Sequence, residues 1–511
     1  MPPAIKQLET VSNSEKSIRK ILDGQSEWFL TQNGGAPLAI QRDEFDFSAA
    51  HGRLIFSSWT EQGSKTWRIT RWDWKGERLE LEATRGMGRE AAKLELVPRA
   101  SAKAAIAGIA AARQARCEQL AQVAAQTLEA KVELAALSPG MRRDQPGRYA
   151  RIILRLPHER VAVTATVAES DARNADSLFS SALLWFERLR SSPKRPPLNR
   201  LLMIVEHGLL EAARQRHVLL RQSLRERIEL FTIDKDWAQV ESVGSFKRSH
   251  IWKKRLARFP PVSAPAASEG VTEIISRSPA NIDVVSSRHG QTLRYHGLPF
   301  ARVRRVMERE RIWFGIEGAR RRALREHHQR DWEKLLADLK TYRDESCRDR
   351  GHWFYRAAGE AWLESILRRD ISKLDPGLII APLHAQFRTS HGGPTGVRPI
   401  DLLALRRDGR LAVIELKVNE DREHVFQGVD YWRRVEAHRR RGHITAAKLF
   451  GEREISDESP LVYLVAPALR FHPSFATLAR TIAPDIEVYR FDINEDWRRG
   501  VRVVRRERVN A

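Results

Sequence analysis

Residues 398–417 read RPIDLLALRRDGRLAVIELK, two apolar runs on either side of Arg407-Asp408-Gly409. A three-residue hairpin loop ending on a left-handed glycine suits Gly409 and sets Arg406 opposite Arg410. Counting outward, Leu405 meets Leu411, Leu403 meets Val413, and Asp401 meets Glu415. Side chains alternate along a strand, so Lys417 shares the face of Glu415. Three ionisable groups therefore converge at the end of a hairpin whose remaining residues are as apolar as those of a buried strand.

Two facing carboxylates in such surroundings repel and are costly to desolvate. A hard divalent cation removes both costs. Oxygen ligands from two acids plus water suit Mg²⁺, and such an ion activates water and neutralises charge on a scissile phosphate. Lys417 is placed to orient that water, to help deprotonate it, or to stabilise charge developing on the phosphate. The competing reading, an exposed charged sheet face on which Lys417 balances two acids, fits poorly with the flanking runs Leu402-Leu403 and Ala412-Val413-Ile414.

Through Pro399-Ile400-Asp401 and Glu415-Leu416-Lys417 this stretch resembles the PD-(D/E)xK nuclease superfamily, with Ile400 as an extra residue at a proline the family varies. The neighbouring sequence fits the restriction-endonuclease-like α-β-β-β-α-β core. A helix carrying Glu360 and Glu364 is followed by a strand around Leu378 to Phe387 and by the two motif strands. A helix from about Glu423 to Arg440 and a strand from Leu461 to Val465 come next, extended by a helix from His472 to Ile482 and a strand from Ile486 to Phe491.

The resemblance implies a metal-dependent nuclease acting on DNA. Asp401, Glu415 and the Leu416 carbonyl would ligate Mg²⁺, or Mn²⁺ in its place, with Lys417 at the nucleophilic water. An acid of the first helix would assist. Glu360 is the expected one, because it borders the apolar stripe of Leu363 and Leu367 while Glu364 is expected to turn further toward solvent. Gln427 and Tyr431 resemble the Q-x-x-x-Y element of RecB-type members, and with Arg434 and His438 they form one stripe at helical spacing, suited to holding a DNA backbone. Arg398 joins this nucleic-acid-binding set. Arg433, Arg434, Arg439, Arg440 and Arg441 supply either phosphate contacts or a solvated helix end.

About 160 residues carry the resemblance, so the rest of the chain needs its own reading. At 511 residues it exceeds one compact core and predicts an α/β multidomain protein. The expected units are a small β-rich unit at 1–100, an α/β unit at 101–240, a linker with a short β element and a charged helix at 241–350, and the nuclease-like unit at 351–511. From Trp28 to Val97 short alternating runs predict antiparallel strands, whose tryptophans Trp59, Trp67, Trp72 and Trp74 suit packing better than base stacking.

Residues Ala102 to Leu137 have helical composition. A hairpin of Arg151–Leu156 and Val161–Val167 is then followed by a helix at Phe179–Leu189, a strand at Leu201–Val205, a helix at Leu209–Arg225 and a strand at Ile228–Ile233. That order repeats the order of 400–491 without the acid-x-Lys element, and suggests an inactive copy. The stretch Phe259 to Ser268, rich in Pro, Ser and Ala, predicts a linker, and Arg320 to Arg350 a long charged helix.

Lys and Arg number 88 against 65 acids, and a formal charge of +23 favours a polyanionic partner. Nucleic acid, DNA first, is the expected partner; a homo-oligomer is allowed. No segment approaches the ~20 apolar residues of a membrane span. The N-terminus shows no signal sequence and Cys117 and Cys347 are far apart, which together predict the cytoplasm. Besides the nuclease, two non-catalytic readings stand: a nucleic-acid-binding platform that keeps the fold, and a recognition subunit for a partner.

Overall fold

Strand-forming alternation runs well beyond residues 398–417. In the computed structural model it yields four sheets of seven, six, five and six strands, mixed with helices in an α/β architecture. The structure describes residues 3–33, 38–50, 52–60, 63–75, 77–85, 90–98, 102–140, 147–168, 175–191, 198–234, 237–244, 246–252, 256, 258, 259, 268–287, 290–306, 309–316, 322–389 and 399–511. Among them no helix is long and apolar enough to cross a membrane.

At the N-terminus a helix at Pro3–Leu22 lays Ile18 and Leu22 on seven antiparallel strands between Glu27 and Pro98. Trp67 is enclosed in that core, and Trp72 and Trp74 pack at its margin, so these rings serve packing. The Trp59 side chain lies outside the described residues.

The middle unit comprises α1 (Ala102–Thr127), β1 (Lys131–Leu137), β2 (Tyr149–Arg155), β3 (Arg160–Thr166), α2 (Ala175–Arg190), β4 (Leu198–Glu206), α3 (His207–His217), β5 (Ile228–Ile233) and β6 (Val240–Ser242). Two expectations are corrected. Helical composition to Leu137 gives way at Thr127, because the next segment finds a ladder on β2, which outweighs weak helix propensity. The helix expected over Leu209–Arg225 is interrupted after His217, where the chain turns to hydrogen-bond with the C-terminal unit.

Residues 241–350 form far more than a linker. They contain α4 (Glu269–Ser276), the strands β7 (Ile282–Ser287), β8 (Gly290–Tyr295), β9 (Leu298–Val306), β10 (Arg309–Phe314) and β11 (Arg322–Ala323), and α5 (Gln329–Tyr342). Val271, Leu293, Phe300, Phe314, Trp332 and Leu339 give this unit its own core. The charged helix is shorter than expected. Past Arg343 the Asp344 side chain accepts from the Ser346 amide at 2.8 Å, a local turn that competes with helix. Residues 260–267 of the expected linker, and Arg320 and Arg321, lie outside the described residues.

The C-terminal unit runs α6 (Gly359–Arg369), β12 (His384–Phe387), β13 (Ile400–Leu405), β14 (Leu411–Leu416), α7 (His424–Arg439), β15 (Leu461–Pro467), α8 (Phe475–Ala479), β16 (Val488–Ile493) and β17 (Val503–Arg508). The strand expected from Leu378 narrows to four residues; Pro382 has no amide to donate to a ladder. Gly409 has φ +80°, and the ladder pairs Leu405 with Leu411 and Leu403 with Val413, the register its loop dictates.

The middle and C-terminal sheets follow one path. In each, six strands lie in chain order; the first three are mutually antiparallel, the third to fifth parallel, and the sixth antiparallel. Equivalent parts of the two units also touch. The crossover helices α2 and α7 share one apolar core, where the Phe179 and Phe426 rings stand 5.9 Å apart. The loop after α3 meets the loop after α8, with the Arg221 amide donating to Thr481 at 2.8 Å and that of Ala483 to Leu219 at 2.9 Å. Antiparallel pairing of equivalent segments is the contact that a two-fold axis produces.

Candidate functional site

The register that pairs Leu402 with Ile414 continues by one residue to set Asp401 opposite Glu415, as its hairpin loop requires. Apolar neighbours flank the pair on both strands; Glu415 is 2% exposed, and Asp401 is partly exposed. Asp401 Oδ2 accepts from the Leu416 amide at 2.9 Å. Lys417 Nζ donates to Glu415 Oε1 at 2.7 Å, and it lies 3.9 Å from Glu360 and 3.7 Å from Asp421.

The electrostatics follow from burial and crowding. Burial and the facing Glu415 hold the Asp401 carboxyl well above the usual carboxylate range. Burial works against the Lys417 charge, but Glu415, Glu360 and Asp401 outweigh it and keep the ammonium protonated above its ordinary range. Lys417 is therefore a fixed cation and hydrogen-bond donor, which leaves orienting water and stabilising charge as the roles its chemistry suits.

The first-helix acids differ from expectation. Glu360 does approach Lys417, with a side chain that remains 48% exposed. Glu364, expected toward solvent, is 2% exposed. The reason is a neighbour that the helix alone does not reveal: the β7–β11 sheet covers this side of α6, and Arg294 of β8 lies 3.8 Å from Glu364. Gln386 of β12 links Glu364, at 2.7 Å, to Asp401, at 3.5 Å. Both acids thus border the site from different sides.

The stripe on α7 is also corrected. Gln427, Tyr431, Arg434 and His438 do share a face, and that face turns into the protein; all four are buried. Arg434 covers the Tyr431 ring at 4.5 Å and pairs with Asp430 at 3.3 Å. His438 Nε2 stands 2.9 Å from the Thr389 carbonyl. Burial, then Glu415 and Asp401, raise the Tyr431 phenol above its ordinary range, and the ring packs in a core with Ile400, Leu403 and Val413.

The arginines of α7 and the two that follow it are paired within the protein, although Arg440 stays half exposed. Arg433 pairs with Asp430 at 2.7 Å, and Arg439 and Arg440 both pair with Glu436, at 2.7 and 2.6 Å. Arg441 donates to the carbonyls of Ala437 and Trp252. Arg398 lies outside the described residues.

Gln386, Asp421 and His424 were not singled out by spacing. Gln386 stands beside Asp401 because β12 pairs with β13, and a ladder drawn from Phe387 to Ile400 finds it. His424 Nε2 lies 3.3 Å from the Glu415 carbonyl, and burial with the nearby Lys417 charge lowers its pKa to about 3, so the imidazole is neutral.

One buried oxygen at the site, Glu415 Oε2, has no hydrogen-bond partner among the described residues. An unmatched carboxylate oxygen facing a second carboxylate fits a cation. Among the described residues no three His, Cys, Asp or Glu side chains are gathered closely enough to hold a metal ion by themselves. The available donors are two carboxylates with amide and carbonyl oxygens, a set that suits Mg²⁺, which keeps several of its waters. No protein-family model matches the chain, and no curated protein matches it in sequence.

Proposed function

We propose that residues 351–511 form a metal-dependent nuclease of the PD-(D/E)xK type that hydrolyses phosphodiester bonds of DNA. One observation carries the reading: Asp401 and Glu415 face each other in the hairpin register with Lys417 on Glu415, and Glu415 Oε2 has no partner among the described residues. The element order α6-β12-β13-β14-α7-β15 and the chain's charge of +23 support it. The middle unit, which repeats that order, is read as an inactive counterpart.

Asp401, Glu415 and the Leu416 carbonyl would hold Mg²⁺ or Mn²⁺, which when bound polarises the phosphate and lowers the pKa of a ligated water. The Leu416 amide fixes one Asp401 oxygen, and the other, held only by a long 3.5 Å contact from Gln386, has lone pairs to offer a ligand. Lys417 donates hydrogen bonds to the attacking water or to a phosphate oxygen as negative charge grows there. In the reaction the water oxygen bonds to phosphorus, one ester P–O bond breaks, and the leaving oxygen takes a proton.

The test is cleavage of circular single-stranded and duplex DNA with Mg²⁺, Mn²⁺ or chelator, by the native protein and by Asp401→Ala and Lys417→Ala. Native cleavage that stops with chelator and falls by about 100-fold or more in each variant is expected. Equal rates in the variants remove the mechanism, and DNA binding with no cleavage favours a non-catalytic platform.

A further inference from the structure

We propose that the outer face of the β7–β11 sheet is the surface on which a DNA strand lies as it enters the Asp401–Glu415 site, an inference that rests on the nuclease reading. The sheet alternates on either side of a bulge opposite Leu293 and Arg294. Leu293, Ala301, Val303 and Phe314 point inward onto α4 and α5. The opposite face carries Thr292, Arg294, Arg302, Arg304, Arg311 and Trp313.

The ladder pairs Arg302 with Trp313 and Arg304 with Arg311. Like charges directly opposite on a sheet repel, and a chain of phosphates laid across them relieves the repulsion. The Arg304 Nε is buried and has no hydrogen-bond partner among the described residues, while Arg311 is exposed. Asp283 is the one acid among the described residues of this face, and it is paired across from Arg294. The Arg304 guanidinium lies over the partly exposed Trp313 ring at 6.0 Å, an aromatic–cation pair of the kind that nucleic-acid strands meet.

The sheet is fixed to the helix that carries the site acids. Arg343, buried, donates to the carbonyls of Tyr295 at 2.8 Å, His296 at 2.7 Å, Phe354 at 2.7 Å and Ala357 at 2.7 Å, joining the β8–β9 turn to the start of α6. Gly297 has φ +78°, and a Cβ there would stand 2.0 Å from the Ala361 carbonyl oxygen, so the turn sits directly on α6. The row of arginines then begins at Arg294, 3.8 Å from Glu364, and reaches the Arg304 level four residues further along β8. At about 3.3 Å per residue that is roughly 13 Å of sheet leading away from the acids.

Anisotropy of labelled single-stranded and duplex oligonucleotides, with the full chain in chelator, tests the surface without cleavage. The double variant Arg304→Ala/Arg311→Ala is compared with Arg53→Ala/Arg71→Ala, two exposed arginines of the N-terminal sheet, with thermal melts to verify folding. The expected result is affinity about 10-fold or more below native for the first pair only, with a salt slope smaller by about 2. Affinity equal to that of the control pair, or no DNA binding by the native chain, overturns the proposal. Unchanged binding in a chain that cleaves rejects the surface and keeps the nuclease, whereas lost binding in a chain that never cleaves does the reverse.

Discussion

The middle and C-terminal sheets share one path and carry opposite chemistry at one place. Leu201 and Val462 each pair with the first residue of the following strand, Ile228 and Val488, which aligns their partners Ala162 and Val413. Two and four residues on, Thr164 and Thr166 stand where Glu415 and Lys417 stand, and Arg151, opposite Thr164, stands where Asp401 does. Arg151 lies over the Trp185 ring at 5.7 Å, and Thr164 donates to the Ala150 carbonyl at 2.9 Å. The middle unit satisfies this position from within, whereas the C-terminal unit leaves Glu415 Oε2 unmatched among the described residues. The same path is thus built without acids at this position, and burying them in the C-terminal unit costs stability.

The largest expected difference is in cleavage. Asp401→Ala or Glu415→Ala lowers the Mg²⁺-dependent rate by about 100-fold to 1000-fold, while Thr164→Ala and Arg151→Ala leave it unchanged in the same plasmid assay. A rate that falls equally for both sets would break the contrast between the units.

The junction gives the next largest effect. Arg216 lies between Asp176 of the middle unit, at 2.8 Å, and Asp430 of the C-terminal unit, at 3.0 Å, and all three are buried. Removing it takes the buried cation from Asp176, while Asp430 keeps Arg433 and Arg434, and Arg216→Ala is expected to cost about 3 kcal/mol in denaturant unfolding. A loss below about 1 kcal/mol would mean the units do not depend on this link. Because the middle unit already covers the α7 face, the chain is expected to sediment as a monomer, and a stable dimer would remove that consequence of the comparison.

The pH response separates the two sheets more finely. Asp401 binds its proton more tightly folded than unfolded, so its contribution to stability without metal is present below the ordinary carboxylate pKa and is lost as pH rises through the raised one. The cation competes with that proton. The rise in melting temperature on adding Mg²⁺ is therefore expected to grow from about pH 5 to about pH 8, and to be absent in Asp401→Asn. A Mg²⁺ shift independent of pH would separate metal binding from this carboxyl. The smallest effect is Thr164→Val, expected to cost about 1 kcal/mol through the lost Ala150 hydrogen bond while cleavage stays native.

The hairpin was readable because a glycine fixed its register: Gly409 alone sets Asp401 opposite Glu415. Four strands of the middle path and five of the C-terminal one were readable from buried strand runs alternating with helices, whereas Lys131–Leu137 was hidden in helical composition and the short or charged last strands, Val240–Ser242 and Val503–Arg508, gave no apolar run. Periodicity also showed that Gln427, Tyr431, Arg434 and His438 share a face, but a spacing does not say whether that face meets solvent or the sheet. The cover over Glu364, the β7–β11 sheet, reads in sequence only as a short β element, and nothing in its spacing says that it packs on α6. Gln386 could be seen only once β12 was paired, since its link to Asp401 is made across strands.

The account stands on a divalent-cation site between Asp401 and Glu415, and calorimetric titration of Mn²⁺ into the native chain and into Asp401→Asn measures it most directly. The predicted result is a site in the native protein that is lost in the variant while its melting temperature is retained. Equal binding by the two proteins, or none by either, would contradict the account.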